Sequence, residues 1–294
     1  MPVTPEWLAL SLVEHLGGKR MRALLDHFHG DPGAILAASR DQLRRVPGIG
    51  TGLADAIRQI DRAQVERDLA AWQRAGVSLL TWEDSAYPVR LKTIPDPPPT
   101  LFVRGSGALE KLSAASEKLH PRRWIAVVGT RQPSAQSAAA AQMIGFETAQ
   151  RGGIVVSGLA LGVDAAAHLG ALAAPNGLTL AVLGGGVLNI YPPGNRGLSS
   201  AVIQRGGLVS EQPPTADPKP VSLVARNRLI SGLCDALVVV ETSVTGGAMH
   251  AARRAFEQGR RVYALDSAAS GNRALIDEFG ALALDVNGFS GLWR

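Results

Sequence analysis

The sequence predicts an α/β protein: a Rossmann-like, doubly wound, mainly parallel sheet preceded by a small all-helical domain. Three observations carry this expectation. From Trp124 onward, short runs of Val, Ile, Leu and Ala alternate with helix-period segments, as buried parallel strands and their crossover helices do. Glycine is plentiful (33 residues) and aromatic residues are scarce (5%), which suits tight strand–helix turns better than a β-sandwich. The first seventy-odd residues, in contrast, carry helical periodicity only. The chain has 294 residues, 46% of them hydrophobic, enough to bury one large core or two. The change of pattern divides it into residues 1–75 and 76–294.

In the first part, Leu8, Leu12 and Leu16 recur at i, i+4 and i+8, and Met21, Leu24, Leu25 and Phe28 continue a helical stripe. Gly17-Gly18 and Gly30-Asp31-Pro32-Gly33 punctuate it. DQLRRVPGIGTGLADAIRQI, residues 41–60, reads as a helix, a sharp turn at Pro47-Gly48-Ile49-Gly50, and a second helix with Leu53, Ala56, Ile57 and Ile60 on one face. This resembles the SAM or helix-hairpin-helix elements of DNA-binding proteins, in which glycines let N–H groups at a helix N-terminus approach a phosphate. A packing scaffold is the slightly preferred reading. His27 and His29, two apart on a helix, point different ways and read as surface or boundary residues, not metal ligands.

After Gly76, VSLLTW (77–82) and TLFVRG (100–105) read as strands joined through IPDPPP, a rigid extended connector. A linker-like run, GALEKLSAASEKLHPRR, leads to the strand WIAVVG (124–129). Helical segments then alternate with strands: 135–150 precedes GIVVSG, 164–174 precedes LTLAVLGG, and 199–205 precedes GLVSE. In the same way 222–233 precedes ALVVVE, 248–258 precedes RVYAL, and 272–279 precedes ALAL.

Thirty Lys and Arg against 25 Asp and Glu give a net charge of +5, which permits a polyanionic partner without establishing one. The single cysteine, Cys234, excludes an internal disulfide and a cysteine-rich zinc site, and is expected to be a buried structural thiol. The first residues lack a basic stretch and carry Glu6 and Glu14. The most apolar run, 153–175, is interrupted by Asp164 and His168. Neither a signal peptide nor a membrane span is expected, and a soluble cytoplasmic protein is.

Open parallel sheets bind ligands beyond the C-terminal ends of their strands. Here those ends lead into Thr130 and Arg131, then Gly158, Leu159, Gly162, Asp164 and His168, then Tyr191, Asn195 and Arg196. Gly246 and Gly247 follow ALVVVE, Asp266 and Asn272 follow RVYAL, and ARNRLISGL (225–233) carries Arg226, Asn227 and Arg228. A rim of glycine, hydroxyls, Asn and Arg with few paired carboxylates suits phosphate or sugar-phosphate binding. No G-x-G-x-x-G opens the first βα unit, and no P-loop motif, nucleophile-elbow serine or metal-ligand histidine spacing occurs. A conventional dinucleotide or P-loop nucleotide site is therefore unsupported, no metal or cofactor is expected, and His168 is expected to be tied to its own helical turn.

VVGTR (127–131), VVSGLALGVDAAAH (155–168), AVLGGGVLNIYPPGN (181–195), LVSEQPP (208–214), ARNRLISGL (225–233) and GGAMHAARRAFEQGR (246–260) fall in one order, preceded by YPVRLKTIPDPPPTLFVRG (87–105). Together they resemble the DNA-processing protein A (DprA/Smf) family over roughly residues 77–284, with that family's small helical domain in front. The resemblance implies a binding protein and not an enzyme. It implies single-stranded DNA bound at Arg131, Gly158, Leu159, Gly162, Asn195, Arg196, Arg226, Asn227, Arg228, Gly246, Gly247 and Asn272. It further implies a homodimer formed through the Rossmann-like domain, and loading of RecA recombinase in natural transformation and recombination.

On this reading Arg226, Asn227 and Arg228 present a basic-amide edge to the DNA backbone while Leu229, Ile230 and Leu233 anchor the helix. At most one of the two arginines is expected to pair with an acid, such as Glu241. The chain departs from the family pattern in Thr245-Gly246-Gly247, where a serine-rich turn is usual, and in the short ALDSAASGN loop before the usual GTN. The C-terminal winged helix of some relatives is not expected. The alternative is a nucleoside-monophosphate phosphoribohydrolase of the "lonely guy" type with Glu241 as its carboxylate. ETSVTGGAMHAA lacks the proline and the downstream Glu of that enzyme's PGG-x-GT-x-x-E turn.

Overall fold

The computed structural model describes residues 4–105, 122–285 and 288–293. The strands are β1 (Val77–Thr81), β2 (Thr100–Arg104), β3 (Trp124–Val128), β4 (Ile154–Ser157), β5 (Leu178–Leu183), β6 (Gly207–Ser210), β7 (Ala236–Val239), β8 (Arg261–Leu265) and β9 (Leu282–Leu284). All nine coincide with runs read from the sequence. They form one sheet in the order β1-β2-β6-β5-β4-β3-β7-β8-β9. From β6 to β9 every neighbouring pair is parallel, whereas β2 pairs antiparallel with both β1 and β6. From β3 the chain steps outward through β4, β5 and β6, then returns to lay β7 on the other side of β3. The crevice between β3 and β7 is therefore the topological switch point, where such sheets hold their ligands.

The continuous apolar runs follow from burial on both faces. Along β3, Ile125 and Val127 point into one core layer with Ala140, Ala141, Ile144, Ala167 and Ala171. Trp124, Ala126 and Val128 point into the opposite layer with Leu229, Ile230, Leu233, Ala251, Ala252 and Ala255. This is the two-residue alternation of a strand covered above and below by helices.

Ahead of the sheet lie six helices: α1 (Pro5–Ser11), α2 (Gly18–His27), α3 (Pro32–Ala37), α4 (Arg40–Arg44), α5 (Thr51–Arg58) and α6 (Arg62–Arg74). They enclose a core of Trp7, Leu10, Leu16, Met21, Leu24, Ile35, Leu43, Val46, Ile49, Ala54 and Ile57. The hairpin read at 41–60 is present as α4, a turn with Gly48 at φ +82°, and α5. The Leu8–Leu12–Leu16 stripe is not one helix. α1 ends at Ser11, and the chain reverses through His15 at φ +65° before Leu16 returns to the core.

The helical lobe shares its packing with the sheet. Leu8, Val65 and Trp72 cluster with Phe102, Ala181 and Leu208, and the Trp7 indole N–H donates to Pro99 O at 3.1 Å and to Thr100 Oγ1 at 3.2 Å. The connector between β1 and β2 carries one short helix, α7 (Val89–Lys92).

The crossover helices are α8 (Ala135–Gln150), α9 (Val163–Ala173), α10 (Arg196–Arg205), α11 (Pro220–Ala225), α12 (Asn227–Leu233), α13 (Gly247–Glu257) and α14 (Ser270–Asp277). The single helix expected over 222–233 is in fact two, with Arg226 as the residue between them. The linker-like run around residues 107–121 lies outside the described residues. Among those described, no helix is long and apolar enough to cross a membrane.

Candidate nucleic-acid interface

A cleft of about 570 Å³ opens at the switch point, lined from β3's end by Gly129, Thr130 and Arg131 and from β7's end by Thr242, Ser243, Gly246 and Gly247. Asp164, Tyr191, Leu223, Val224, Arg226 and Asn227 complete its walls. Backbone contacts draw these turns together. Thr130 N–H donates to Glu241 O at 2.7 Å, and Val163 N–H donates to Thr130 O at 3.2 Å. Gly162, at φ +77°, lies so close to the Thr130 and Arg131 carbonyls that a Cβ has no room. The glycine after β4 is thus needed for the turn after β3 to sit where it does.

The eleven-residue α13 begins at the cleft with Gly246 as its N-cap and no side chain capping it. Its first N–H groups and the positive end of its dipole are available to an anion. Next to it, Asn227 Nδ2 reaches Gly247 O at 3.4 Å, which ties the start of α12 to the same turn.

Arg226 is the buried floor of the cleft, only 8% exposed. Its Nη1 donates to Val182 O at 2.9 Å, its Nε to Leu223 O at 3.3 Å, and Nη2 lies 3.9 Å from Asp164 Oδ2. Asp164 Oδ2 also accepts the Gly158 N–H at 3.1 Å and the Ala160 N–H at 3.4 Å. Burial raises the Asp164 pKa, against the pull of Arg226 and those N–H donors. Burial lowers that of Arg226, with Asp164 opposing and the like charge of Arg131 adding to the fall. Arg131 is exposed, and its charge is felt by Arg226. An anion seated between the two would relieve that repulsion.

The cleft and a smaller hollow that shares Arg131, Ala160, Tyr191, Leu223 and Arg226 with it bring together Arg131, Gly158, Arg226, Asn227, Gly246 and Gly247. The other residues named from the sequence stand elsewhere. Arg196 is exposed at the start of α10 and lines neither space. Leu159 is fully buried at φ +58°. Asn195 holds that left-handed turn by donating to Leu159 O at 2.9 Å and Ala160 O at 3.1 Å. Asn272 is fully buried, accepts the Thr242 N–H, and donates to Val239, Val240 and Leu265 carbonyls, bracing the ends of β7 and β8.

The basic-amide edge expected from Arg226, Asn227 and Arg228 is not on the surface. Arg228 grips Glu211 through two 2.7 Å contacts and lies 3.6 Å from Asp96, with only 15% of its side chain exposed. Both arginines have acidic partners, where at most one was expected, and neither partner is Glu241. Burial lowers the Arg228 pKa, but Glu211 and Asp96 outweigh it and the net shift is upward. Sequence reading missed Leu223 and Val224 as cleft residues. It placed Tyr191 near a strand end without assigning it, although the side chain is 40% exposed at the cleft.

Glu241 accepts the Ser134 N–H at 2.9 Å and its hydroxyl at 3.0 Å, anchoring the N-cap of α8. Its partial burial pushes its pKa up, but hydrogen bonds from the Ser134 N–H and the Ser137 and Ser134 hydroxyls leave it below the ordinary carboxylate value. His168 is tied not to its own turn but to Thr179 on β5, with Nδ1 to Oγ1 at 2.7 Å. Cys234 is a buried thiol whose pKa burial pushes up to about 12. Among the described residues, no group of three His, Cys, Asp or Glu side chains could hold a metal ion.

Compared with known proteins, residues 78–289 match the family model of DNA recombination-mediator protein A. The chain is 32% identical to DNA processing protein DprA of Bacillus subtilis over 278 residues, covering 92% of this chain and 86% of that one. The crystal structure of DNA processing protein A from Streptococcus pneumoniae superposes with a TM-score of 0.78 at 28% identity, covering 97% of this chain and 95% of the other. The Helicobacter pylori DNA processing protein A, solved for its single-stranded DNA binding mode, superposes with a TM-score of 0.64 at 26% identity, covering 74% and 95%. With the family model matched over residues 78–289 and relatives matched over most of their length, the chain belongs to the DNA recombination-mediator protein A (DprA/Smf) family.

Proposed function

We propose that this chain binds single-stranded DNA at the switch-point cleft, weakly selective for sequence, and loads RecA recombinase onto it during transformation and recombination. The observation that carries the DNA reading is the exposed Arg131, which lines the same cleft as the buried Arg226 and the uncapped start of α13. This is a backbone phosphate site made of one guanidinium fork and helix N–H groups. The binding of single-stranded DNA by the Helicobacter relative supports the same reading. RecA loading, a homodimer and a cytoplasmic location complete the proposal by kinship with the family.

The proposal is of a binding protein without catalysis. The Glu241 carboxylate is taken up by Ser134, and among the described residues no histidine lines the cleft to complete an acid–base pair. A gel shift with equal lengths of single- and double-stranded DNA tests the binding, with preference for the single strand expected. Release of free base from nucleoside monophosphates tests the enzymatic alternative. None is expected, and release that stops in Glu241→Ala would overturn the reading.

A further inference from the structure

Two of the sequence motifs meet behind one wall of the switch-point cleft. AVLGGG, residues 181–186, ends β5 in three glycines, and LVSEQPP, residues 208–214, carries β6 into two prolines. Gly186 N–H donates to Ala216 O at 2.9 Å, and Leu188 N–H donates to Pro214 O at 2.8 Å. The buried Ser210 hydroxyl donates to Gly185 O at 2.8 Å, and Asn189 Nδ2 donates to Asp217 Oδ1 at 2.7 Å. A Cβ at position 186 would fall on the Pro213 and Pro214 carbonyls. One at position 184 would stand 2.7 Å from Leu223 Cα and 2.9 Å from Leu223 N. In both places the obstacle is backbone, which no change of rotamer removes.

Leu223 belongs to α11, the short helix that gives the cleft Leu223 and Val224. That helix has little hold of its own. It buries one residue, Ser222, while Val221 is 73% and Val224 47% exposed. The ion pair at its start, Lys219 with Glu14 at 3.9 Å, joins two exposed side chains and contributes little. What fixes α11 is Arg226 at its end and the glycine turn behind it. Arg226 depends on the same wall, because its Nε donates to Leu223 O at 3.3 Å. Among the described residues, the cleft's lining includes Leu223 but none of the three glycines, so they reach the site only through α11. We propose that Gly184, Gly185 and Gly186 are positioning residues, a seat that sets where Leu223, Val224 and Arg226 stand relative to Arg131. This rests on the reading of the cleft as a single-stranded DNA site. A binding constellation works within about 0.5 Å of its productive geometry. A 2.7 Å approach between two carbons must open to about 3.5 Å, a larger shift than that.

Fluorescence anisotropy of a labelled oligothymidylate measures binding by the unlabelled full chain, and a reporter on α11 measures the helix's place. Val221→Cys supplies the reporter, since position 221 is exposed and the other thiol, Cys234, is buried with its pKa pushed up to about 12. An environment-sensitive fluorophore there should shift its emission when Gly184→Ala is added, before any DNA is present. Gly184→Ala itself should bind at least about tenfold more weakly. Gly185→Ala, whose Cβ finds Pro218 N at 3.2 Å, should shift the emission less and lose less affinity. Met21→Ala, which opens a cavity in the core of the helical lobe, should lower the melting temperature with neither effect. That variant separates positioning from general destabilisation. If Gly184→Ala does not fold, Asn189→Ala, which frees Asp217 at a partly exposed side chain, should still shift the emission and weaken binding. An unmoved reporter, or wild-type affinity where the reporter has moved, would overturn the proposal. Weakened binding in Met21→Ala to the same degree as in Gly184→Ala would also overturn it. Failure of the wild type to bind oligothymidylate would instead remove the underlying reading, and the positioning role with it.

Discussion

The Arg226 guanidinium occupies the space that a side chain at position 158 would need, so Gly158 and Arg226 are one structural unit. Through it the end of β5, the turn after β4, the start of α9 and the α11–α12 junction close on a buried cation. Arg226→Ala leaves Asp164 buried without its charged partner, a change that costs about 3–5 kcal/mol. A large fall in melting temperature is expected together with lost DNA affinity, and Gly158→Ala should do the same by displacing the guanidinium. Thermal unfolding checks this. A wild-type melting temperature in Arg226→Ala, with DNA binding gone, would make Arg226 a direct contact instead.

Arg228 and Glu211 form a two-pronged pair between α12 and the end of β6, with side chains 15% and 17% exposed. A double-mutant cycle with Arg228→Ala and Glu211→Ala should give a coupling energy of about 0.5–3 kcal/mol in stability. DNA affinity of the folded variants should stay close to wild type. A large affinity loss specific to Arg228→Ala would place that side chain on the DNA.

Glu241 holds Ser134, and through it the start of α8. Its folded-state pKa lies below the ordinary value of 4.5, so the unfolded chain binds the proton more readily. The stabilisation is complete above about pH 4.5 and is lost as pH falls through the folded pKa. Glu241→Gln should lower the melting temperature at neutral pH and narrow its gap from wild type under acid. Melting curves that stay parallel from pH 7 to below pH 4 would contradict this.

His168 is fully buried, and burial followed by repulsion from Arg226 lowers its pKa to about 3. Thr179 Oγ1 donates to Val155 O, so it accepts from His168 Nδ1–H and leaves Nε2 unprotonated and without a partner. Between pH 6.5 and about 3 the unfolded chain takes up a proton that the folded chain refuses, so stability falls with acid. This one group contributes up to about 1.4 kcal/mol per pH unit. His168→Gln should flatten the stability curve between pH 6.5 and 5. An unchanged slope would contradict the assignment.

The sheet was legible because each strand is a short apolar run bounded by glycine or a charge, and parallel burial demands that pattern. Cleft residues such as Arg131 and Gly246 were legible because strand ends mark where ligands gather. What stayed hidden depends on contacts between distant segments. Arg226 meets Asp164, and Arg228 meets Glu211 and Asp96, only once the sheet has formed. A run of cations in ARNRLISGL therefore looked like a surface edge although both arginines fold inward. Asn272 and Asn195 were misread for the same reason: an amide near a ligand site looks the same in sequence whether it faces the ligand or braces the loops. The break at Arg226 was equally silent, since neither glycine nor proline stands at the junction.

The central claim is that Arg131 and the start of α13 hold a single-stranded DNA backbone, and salt-dependent affinity of wild type and Arg131→Ala measures it most directly. The account expects single strand over duplex, with log K falling by about 0.7 per phosphate neutralised for each tenfold rise in salt. It also expects Arg131→Ala to lose about tenfold or more in affinity at an unchanged melting temperature, since the side chain is exposed. Salt-insensitive binding, a preference for duplex, or wild-type affinity in Arg131→Ala would contradict it.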